Sequence, residues 1–180
     1  GWTDRDGDGW REQPDGHPLT LALATQSDTL SRQLAEQWQR NLNAVGLRLR
    51  VDVATWPENL KRSRAGQLMM WGFGWLAGTP DGETFLALGY GPNAGQSNPS
   101  RFALPAFDAL YEMQRSLPDG PERLAAMDRA QRLLIAHMPM KAHVHHISTD
   151  LVQPGVRGYH RNLFVPNFWL HVDVDVDVQR

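Results

Sequence analysis

The chain has 180 residues, with 18 basic and 20 acidic side chains and no cysteine. The lack of cysteine excludes disulfides and cysteine-ligated zinc. A formal net charge of −2 provides no basic field for a polyanion, so we expect no nucleic acid among the partners. No apolar run approaches the roughly 20 residues that a membrane-spanning helix needs, so we also expect no direct membrane insertion.

The N-terminal quarter predicts turns, then a strand, then a helix. Residues 4–18 are rich in Gly, Asp and Pro, which indicates successive turns. Residues 19–23 alternate in the manner of a short strand with one apolar face. Asp28 or Thr29 can cap a following helix, whose apolar residues recur at spacings of three and four and which Gly46 ends.

The same theme repeats further along the chain. Residues 47–53 alternate again, which predicts a second strand parallel to the first, with a right-handed crossover. Thr55 and Pro57 open a short helix that Gly66 stops. The almost wholly apolar run 68–73 predicts a buried central strand. These elements indicate an α/β fold with a mainly parallel sheet flanked by helices.

The second half predicts a long loop, two helices and two more strands. Residues 74–101 are rich in Gly and Pro, and ordered loops of this length are usually functional. Helices open at Pro105 and at Pro121. Residues 140–147 and the alternating Val and Asp residues of 172–178 predict further strands.

The carboxyl end of the predicted strand 68–73 is where we expect a ligand, because ligands bind beyond the carboxyl ends of strands in open parallel sheets. Aromatic rings provide flat apolar walls, and Trp56, Trp71 and Trp75 are candidates, with Trp71 assigned to the core. The guanidinium of Arg101 can hold a carboxylate or form a structural pair at the surface. The candidate ligand-binding residues are Trp75, Leu76, Ala77, Gly78, Thr79, Asp81, Asn98 and Arg101.

The order of several short motifs resembles the peptide/nickel class of ABC-transporter solute-binding proteins, the dipeptide- and oligopeptide-binding group. The matching pieces are GWTDRDGDG at 1–9, LNAVGLRLRV at 42–51, Gly74-Trp75, Pro80-Asp81, Phe85, Asn98, Asp108-Ala109-Leu110, Glu122-Arg123-Leu124 and Pro139. The resemblance implies one lobe of a type II periplasmic-binding-protein-like fold. It also implies a periplasmic or extracytoplasmic receptor that binds peptides or peptide-like ligands and delivers them to the membrane permease of an ABC importer.

The resemblance further implies a division of the chain. Residues 1–147 would form part of the C-terminal ligand-binding lobe, and residues 148–180 would cross back to the other lobe and end in a strand there. The chain opens at Gly1 without a leader, so we expect a piece of a longer protein. In such a piece the strand 172–178 has no sheet to join, and a dimer formed through it would be an artefact of truncation.

One position departs from the pattern of the peptide-binding group. In those relatives an aspartate three positions after the Gly-Trp tryptophan accepts the ligand's α-ammonium, and Gly78 stands at that place here. The charge-assisted contact is therefore missing, and Asp81 is the candidate substitute. Whether the ligand is an ordinary free-amine peptide stays open.

A histidine cluster supports an alternative function. On a strand, His143 and His145 point to one face and His146 to the other. Such a pair can chelate a metal, so a receptor for a nickel or iron chelate is the alternative. The sequence offers no evident third ligand, and a structural role for the histidines is the favoured interpretation.

The N-terminal acidic residues match the first half of a calcium loop. Asp4, Asp6 and Asp8 stand at ligand positions, and Glu12 and Asp15 fall at later ones. The last position prefers a bidentate glutamate, so the shorter Asp15 favours a solvated turn. We therefore assign no metal and no cofactor.

The evidence for catalysis is weak. Ser148, Thr149 and Asp150 follow the histidines, but adjacency in sequence provides neither a positioned base nor an oxyanion site. The chain has no Gly-x-Ser-x-Gly elbow and no phosphate-binding loop. We expect no catalytic residues, and a hydrolase on the same lobe is a remote alternative.

Overall fold

The computed structural model describes residues 1–145, 147–164 and 167–176, and these form two compact units. The first unit comprises Gly1–Gly74 and Leu88–Leu104. The second comprises Trp75–Ala87 and the described part of Pro105–Arg180. This grouping does not test the predicted lobe boundary at residue 147, which stays a prediction.

The strands and helices of the described chain follow one another in mixed order. They are β1 Thr20–Thr25, α1 Thr29–Asn43, β2 Arg48–Val53, α2 Trp56–Arg64, β3 Met70–Trp71, α3 Glu83–Leu86, α4 Pro105–Ser116, α5 Pro121–His137, β4 Val156–Arg157 and β5 Asp173–Val174. None of the described helices combines the length and apolar character needed to cross a bilayer.

The first unit is built on a parallel sheet with the order β2-β1-β3. β1 pairs with β2 along its whole length, from Thr20 beside Arg48 to Thr25 beside Val53. The connection through α1 follows local rules, because the Asp28 side chain accepts the Ser31 backbone N–H at 2.9 Å and caps the helix. The predicted parallel pairing and the predicted helix are confirmed.

The prediction of a buried central strand at 68–73 is wrong. The strand there has two residues, Met70 and Trp71, and it lies at the edge of the described sheet beside β1. Met69 is 61% exposed. The central strand is β1, since it is the strand that pairs on both sides. An apolar run is compatible with a central strand and with an edge strand alike. Which position the strand takes depends on pairing partners that lie far along the chain.

The second unit is mainly helical. Pro105 and Pro121 stand at the first positions of α4 and α5, as predicted, where a missing backbone N–H costs nothing. The two helices bury Phe107, Leu110, Ala126 and Ala130. α3 continues directly into a short 3₁₀ turn, Ala87–Gly89. Ala87 belongs to the second unit, and Leu88 belongs to the first.

Two further strand predictions are corrected in the second unit. Residues 140–145 and 147 are irregular, so there is no strand at 140–147 among the described positions, and His146 lies outside them. Within 172–178 the strand is limited to Asp173–Val174, and it pairs antiparallel with Val156–Arg157 of this same chain. The expectation that this strand has no partner is therefore wrong for its described part. Residues 177–180 lie outside the described residues.

Candidate functional site

Three parallel strands of the first unit end at one edge of the sheet. β1 ends at Thr25, which lies beside Val53 of β2. Trp71 at the end of β3 lies beside Ala24. The residues that follow these ends therefore meet at the carboxyl edge, where ligands of open α/β sheets bind.

The first turn of α2 is fixed to this edge by hydrogen bonds. The Asn59 side-chain amide donates to the Thr25 carbonyl oxygen at 2.9 Å, and the Ala54 backbone N–H donates to the same oxygen at 3.0 Å. Thr55 and Glu58 form a reciprocal capping box, which satisfies backbone N–H groups at the helix start. Hydrogen bonds from Thr55 hold the pKa of the Glu58 carboxyl below its usual range. The helix start has a well-defined position relative to β1.

An aromatic cluster lies at the same edge. The Trp56 and Trp71 rings are 4.9 Å apart between centroids, and Trp71 and Phe73 are 5.7 Å apart. Trp56 is 47% exposed, so its ring presents apolar surface to solvent. Sequence reasoning considered both tryptophans but missed Phe73 and the contacts among the rings. Trp56 follows the end of β2 by three residues, and this spacing in the sequence could have indicated that its ring lies at the carboxyl edge of the sheet.

The segment predicted to bind ligand begins the second unit. Trp75 is partly exposed and Leu76 is 90% exposed. Ala77 is half-buried, while Gly78 and Thr79 are exposed. A Cβ added at Gly78 would meet no atom within 4 Å. The backbone there is irregular, so these residues present loop surface.

Asp81 is engaged in hydrogen bonds within the second unit. One carboxylate oxygen accepts the Glu83 backbone N–H at 2.9 Å, and the other accepts Nη2 of Arg123 at 2.8 Å. These contacts, the backbone one first, lower the pKa of the Asp81 carboxyl. Arg123 also donates to Asp119 and to the Gln114 carbonyl oxygen. The arrangement supports a structural role for Asp81, and its proposed contact with a ligand stays a prediction.

Asn98 lies in the segment Leu88–Leu104, the loop of the first unit, and has no exposed surface. Its amide nitrogen donates to the carbonyl oxygens of Tyr90 and Phe102, at 3.0 and 2.8 Å. Its oxygen accepts the Ser100 hydroxyl at 2.9 Å. These bonds close the loop on itself, which supports a structural role, and ligand contact by Asn98 stays a prediction.

Arg101 fastens the same loop to the end of α2. Its Nη2 donates to the Arg64 carbonyl oxygen at 2.6 Å. The guanidinium passes over Gly66 and Gly95, two glycines with positive φ. The side chain is thus used in a backbone contact of the first unit, and its predicted role toward a ligand carboxylate stays a prediction.

The acidic N-terminal residues do come together. Carboxylate oxygens of Asp4, Asp6, Asp8 and Glu12 lie within 4.8 Å of one another, and Asp15 is not in the group. Asp4 accepts the Gly7 and Gly9 backbone N–H groups at 2.7 and 3.0 Å. Glu12 accepts the Arg5 backbone N–H at 2.8 Å. Backbone donors thus account for the clustering, as in a tight turn.

The histidine pair lacks the geometry on which the metal interpretation depended. His143 and His145 lie in an irregular, exposed segment, so the alternation of a strand does not place them on one face. Within residues 1–145, 147–164 and 167–176, neither belongs to a group of three metal-ligating side chains.

A shallow groove runs along another flank of α2. It has a volume of about 330 Å³ and is lined by Ala54, Glu58, Lys61, Arg62, Ala65 and Gln67. Its charged residues are the cations Lys61 and Arg62 and the acid Glu58, and Glu58 already forms the capping box with Thr55.

Comparisons with known proteins identify a family for the first half of the chain. A family model described as bacterial extracellular solute-binding proteins, family 5 Middle, matches residues 1–97. The chain belongs to this family. Di/tripeptide-binding protein 2 of Pseudomonas aeruginosa is 29% identical over 146 residues, which cover 79% of this chain and 27% of that protein. Heme-binding protein A of Haemophilus influenzae is 28% identical over 145 residues, covering 80% and 26%.

A solved structure of the same kind supports the fold of this solute-binding chain. The periplasmic binding protein DppA of Helicobacter pylori, in complex with the peptide STSA, is 26% identical and has a TM-score of 0.62. The match covers 67% of this chain and 24% of that one. The predicted α/β fold of the type II periplasmic-binding-protein class is confirmed. The chain spans about a quarter of the length of the curated relatives named above.

Proposed function

We propose that this chain is part of the extracytoplasmic receptor of an ABC importer and contributes to a site for peptides or peptide-like ligands. The observation that carries the proposal is the family match over residues 1–97, which contain the parallel sheet and its aromatic carboxyl edge. Relatives named for di- and tripeptide binding support a peptide ligand. The work of such a receptor is binding, and no bond is made or broken.

The loop Trp75–Asp81 is the proposed ligand-binding segment of the second unit. Its backbone N–H and C=O groups would pair with the backbone of a ligand, and Trp75 and Leu76 would cover apolar parts. Closure of a second lobe in the whole protein would exclude water and strengthen these polar contacts. A ligand that binds only the closed form would then shift the receptor from its open to its closed conformation, and the permease could distinguish the loaded receptor from the empty one.

The proposed partners follow from the same function. The ligand is a peptide or peptide-like molecule. The receptor binds it outside the cytoplasm and delivers it to the membrane permease of an ABC importer. Residues 1–147 would belong to the C-terminal ligand-binding lobe, and residues 148–180 would return toward the other lobe.

Native mass spectrometry of the complete protein as purified tests the proposal. We expect masses of co-purified peptides that are released on unfolding, and titration calorimetry should show exchange with added di- and tripeptides. A protein that carries no peptide and gives no heat with a peptide library would contradict the proposal. Cleavage of the peptides during incubation would contradict the binding-only function.

Gly78 provides a specific test of ligand contact by the loop. Since a side chain at Gly78 would meet open space, Gly78→Asp should be accommodated without steric conflict. We expect it to strengthen the binding of free-amine dipeptides about tenfold, through a charge-assisted hydrogen bond to the ammonium group. Calorimetry on the complete protein measures the change.

The controls for Gly78→Asp separate charge from size. Gly78→Asn adds a side chain of the same shape without the charge and should produce little gain. N-acetylated dipeptides lack the ammonium group and should bind both variants equally. Equal affinity of the wild type and Gly78→Asp for free-amine peptides would mean that this loop does not face the ligand's amino end.

A receptor for a metal complex is the second candidate function. The relative named as a heme-binding protein supports it, at nearly the same identity as the peptide-binding relative. The histidines that were to carry it, His143 and His145, do not support it, because they lie in an exposed irregular segment. Peptide binding is therefore the preferred proposal.

A further inference from the structure

We infer that Arg123 of α5 is a positioning residue for the loop Trp75–Asp81, and that it acts on the ligand through Asp81. The inference rests on the proposed function and names a residue, far from the loop in sequence, on which ligand affinity depends. It concerns contacts within the second unit alone, because the loop and α5 both belong to that unit.

The first step is the use of the Arg123 guanidinium. The side chain is only 12% exposed, and each of its three nitrogens donates to a different part of the second unit. Nη2 donates to Asp81 at 2.8 Å, Nη1 to Asp119 at 2.8 Å, and Nε to the Gln114 carbonyl oxygen at 3.2 Å. One planar group therefore joins the end of the loop to the end of α4 and to the turn before α5. The fixed fork of a guanidinium makes such a junction possible.

The second step is a further contact at the same end of the loop. Met127 lies one turn after Arg123 on α5, and its Cε would be 3.0 Å from a Cβ added at Gly82. Asp81 also accepts the Glu83 backbone N–H at 2.9 Å, which ties it to the start of α3. Two consecutive positions, 81 and 82, are thus held against α5, one by a charged hydrogen bond and one by close packing.

The third step is how little packing holds the remainder of the loop. Residues 75–80 have irregular backbone, Leu76 is 90% exposed, and Gly78 and Thr79 are exposed. A ligand that pairs with this backbone must order it, and each ordered residue costs conformational entropy. Because Arg123 holds one end of the loop before the ligand arrives, less order has to be imposed on binding. Preorganisation of this kind raises affinity without a contact between the residue and the ligand.

Titration calorimetry with trialanine on the complete protein tests the inference. At a temperature well below the melting temperature of each variant, we expect Arg123→Gln to weaken binding about tenfold or more. Arg123→Lys keeps the charge but loses the fork, so it should recover only part of the affinity. Arg132→Gln is the matched control on the same helix. Arg132 is 75% exposed and pairs with Asp128 at 2.8 Å, and its loss should leave the affinity unchanged.

A spectroscopic readout separates positioning from ligand contact. Protein that contains fluorotryptophan gives a fluorine NMR resonance for Trp75, which is assigned by its loss in Trp75→Phe. In the ligand-free protein we expect Arg123→Gln to change the position and width of this resonance, because the loop is released, and Arg132→Gln to leave it as it is. Weaker binding with an unchanged Trp75 resonance would overturn the positioning role.

Two milder variants keep the test decisive if Arg123→Gln does not fold. Arg123→Lys and Asp81→Asn each alter the junction while leaving a polar side chain in place. Weaker trialanine binding together with a changed Trp75 resonance in these variants supports the inference. Wild-type affinity in both folded variants overturns it.

The outcomes distinguish this inference from the proposed function. If the wild type binds trialanine and folded Arg123→Gln binds it within about twofold as tightly, the positioning role is overturned while the receptor function stands. A wild-type protein that binds no di- or tripeptide overturns both.

Discussion

The carboxylate of Asp81 is stabilised in its ionised form by the folded second unit. In the unfolded chain its pKa is that of an ordinary aspartate, near 4. In the folded protein the Glu83 backbone N–H and the Arg123 guanidinium lower the pKa. A lowered pKa means that the contribution to stability is present above the ordinary pKa and is lost as the pH falls through the lowered value.

Asp81→Asn therefore has a pH-dependent effect. At pH 7 we expect the melting temperature to fall by a few degrees, because the ion pair with Arg123 is lost. The difference from the wild type should shrink as the pH falls from about 4, where the unfolded chain takes up the proton, through the lowered pKa of the carboxylate in the folded protein. Thermal denaturation followed by circular dichroism across this range measures both effects.

Asp119→Asn is the matched control for Asp81→Asn. Asp119 pairs with the same guanidinium, but its side chain is 94% exposed. Exposed ion pairs contribute little to stability, so this variant should behave as the wild type does. Equal losses from the two substitutions would show that the contacts of Asp81 have no special structural role.

Gln114 is a buried polar residue of α4. It has no exposed surface, and neither its amide nitrogen nor its amide oxygen has a hydrogen-bond partner among the described residues. Gln114→Met keeps the length of the side chain and removes the unmet groups. We expect it to raise the free energy of unfolding by about 1 to 3 kcal/mol, as measured by urea denaturation.

Gln131→Met on the exposed side of α5 is the comparison for Gln114→Met and should be nearly neutral. A destabilised Gln114→Met variant would show that the buried amide is satisfied in solution, for instance by an ordered water.

At the level of elements, the end of α2 and the loop of the first unit depend on each other. Gly66 ends the helix at φ +72°, and an added Cβ would overlap the Arg101 guanidinium. Arg101 in turn donates to the Arg64 carbonyl oxygen. One glycine therefore serves both as a helix stop and as the space in which the loop is fastened.

Gly66→Ala should destabilise the first unit by more than the backbone conformation alone requires. A non-glycine residue at positive φ costs roughly 1 to 2 kcal/mol, and displacement of Arg101 adds to this. Gly16 has φ +87° and open space around it, so Gly16→Ala measures the conformational cost by itself. Chemical denaturation of both variants gives the difference, and equal losses would mean that the Arg101 contact contributes nothing.

Elements with local determinants were predictable, and elements that depend on distant partners were not. Asp28, Gly46 and Gly66 mark helix boundaries through their own hydrogen bonds and dihedral angles, so α1 and α2 could be read from the chain. Residues 68–73 and 140–147 had apolar or alternating patterns, yet one became a two-residue edge strand and the other is irregular where described. A strand exists only where a neighbour supplies its hydrogen bonds, and no local pattern contains that information.

At the scale of the whole molecule, the histidine pair separates the two candidate functions. A complete protein with His143→Ala and His145→Ala should bind peptides with unchanged affinity, because both residues lie in an exposed irregular segment. Calorimetry with peptides, nickel chelates and iron chelates tests this expectation. Chelate binding that disappears in the double variant would contradict it and would favour the metal-complex receptor.

The family, the α/β class and the order of the main helices followed from the chain itself, because caps, periodicity and short motifs are local properties. The candidate site did not follow in the same way. Asn98 and Arg101 are polar loop residues in sequence, and folding engages both of them in contacts with backbone carbonyls. Trp56 and Trp71 are 15 positions apart in the chain, and parallel pairing brings their rings together. Long-range contacts determine which side chains form hydrogen bonds within the fold and which remain exposed at a sheet edge. Tertiary structure alone therefore decided the composition of the candidate site.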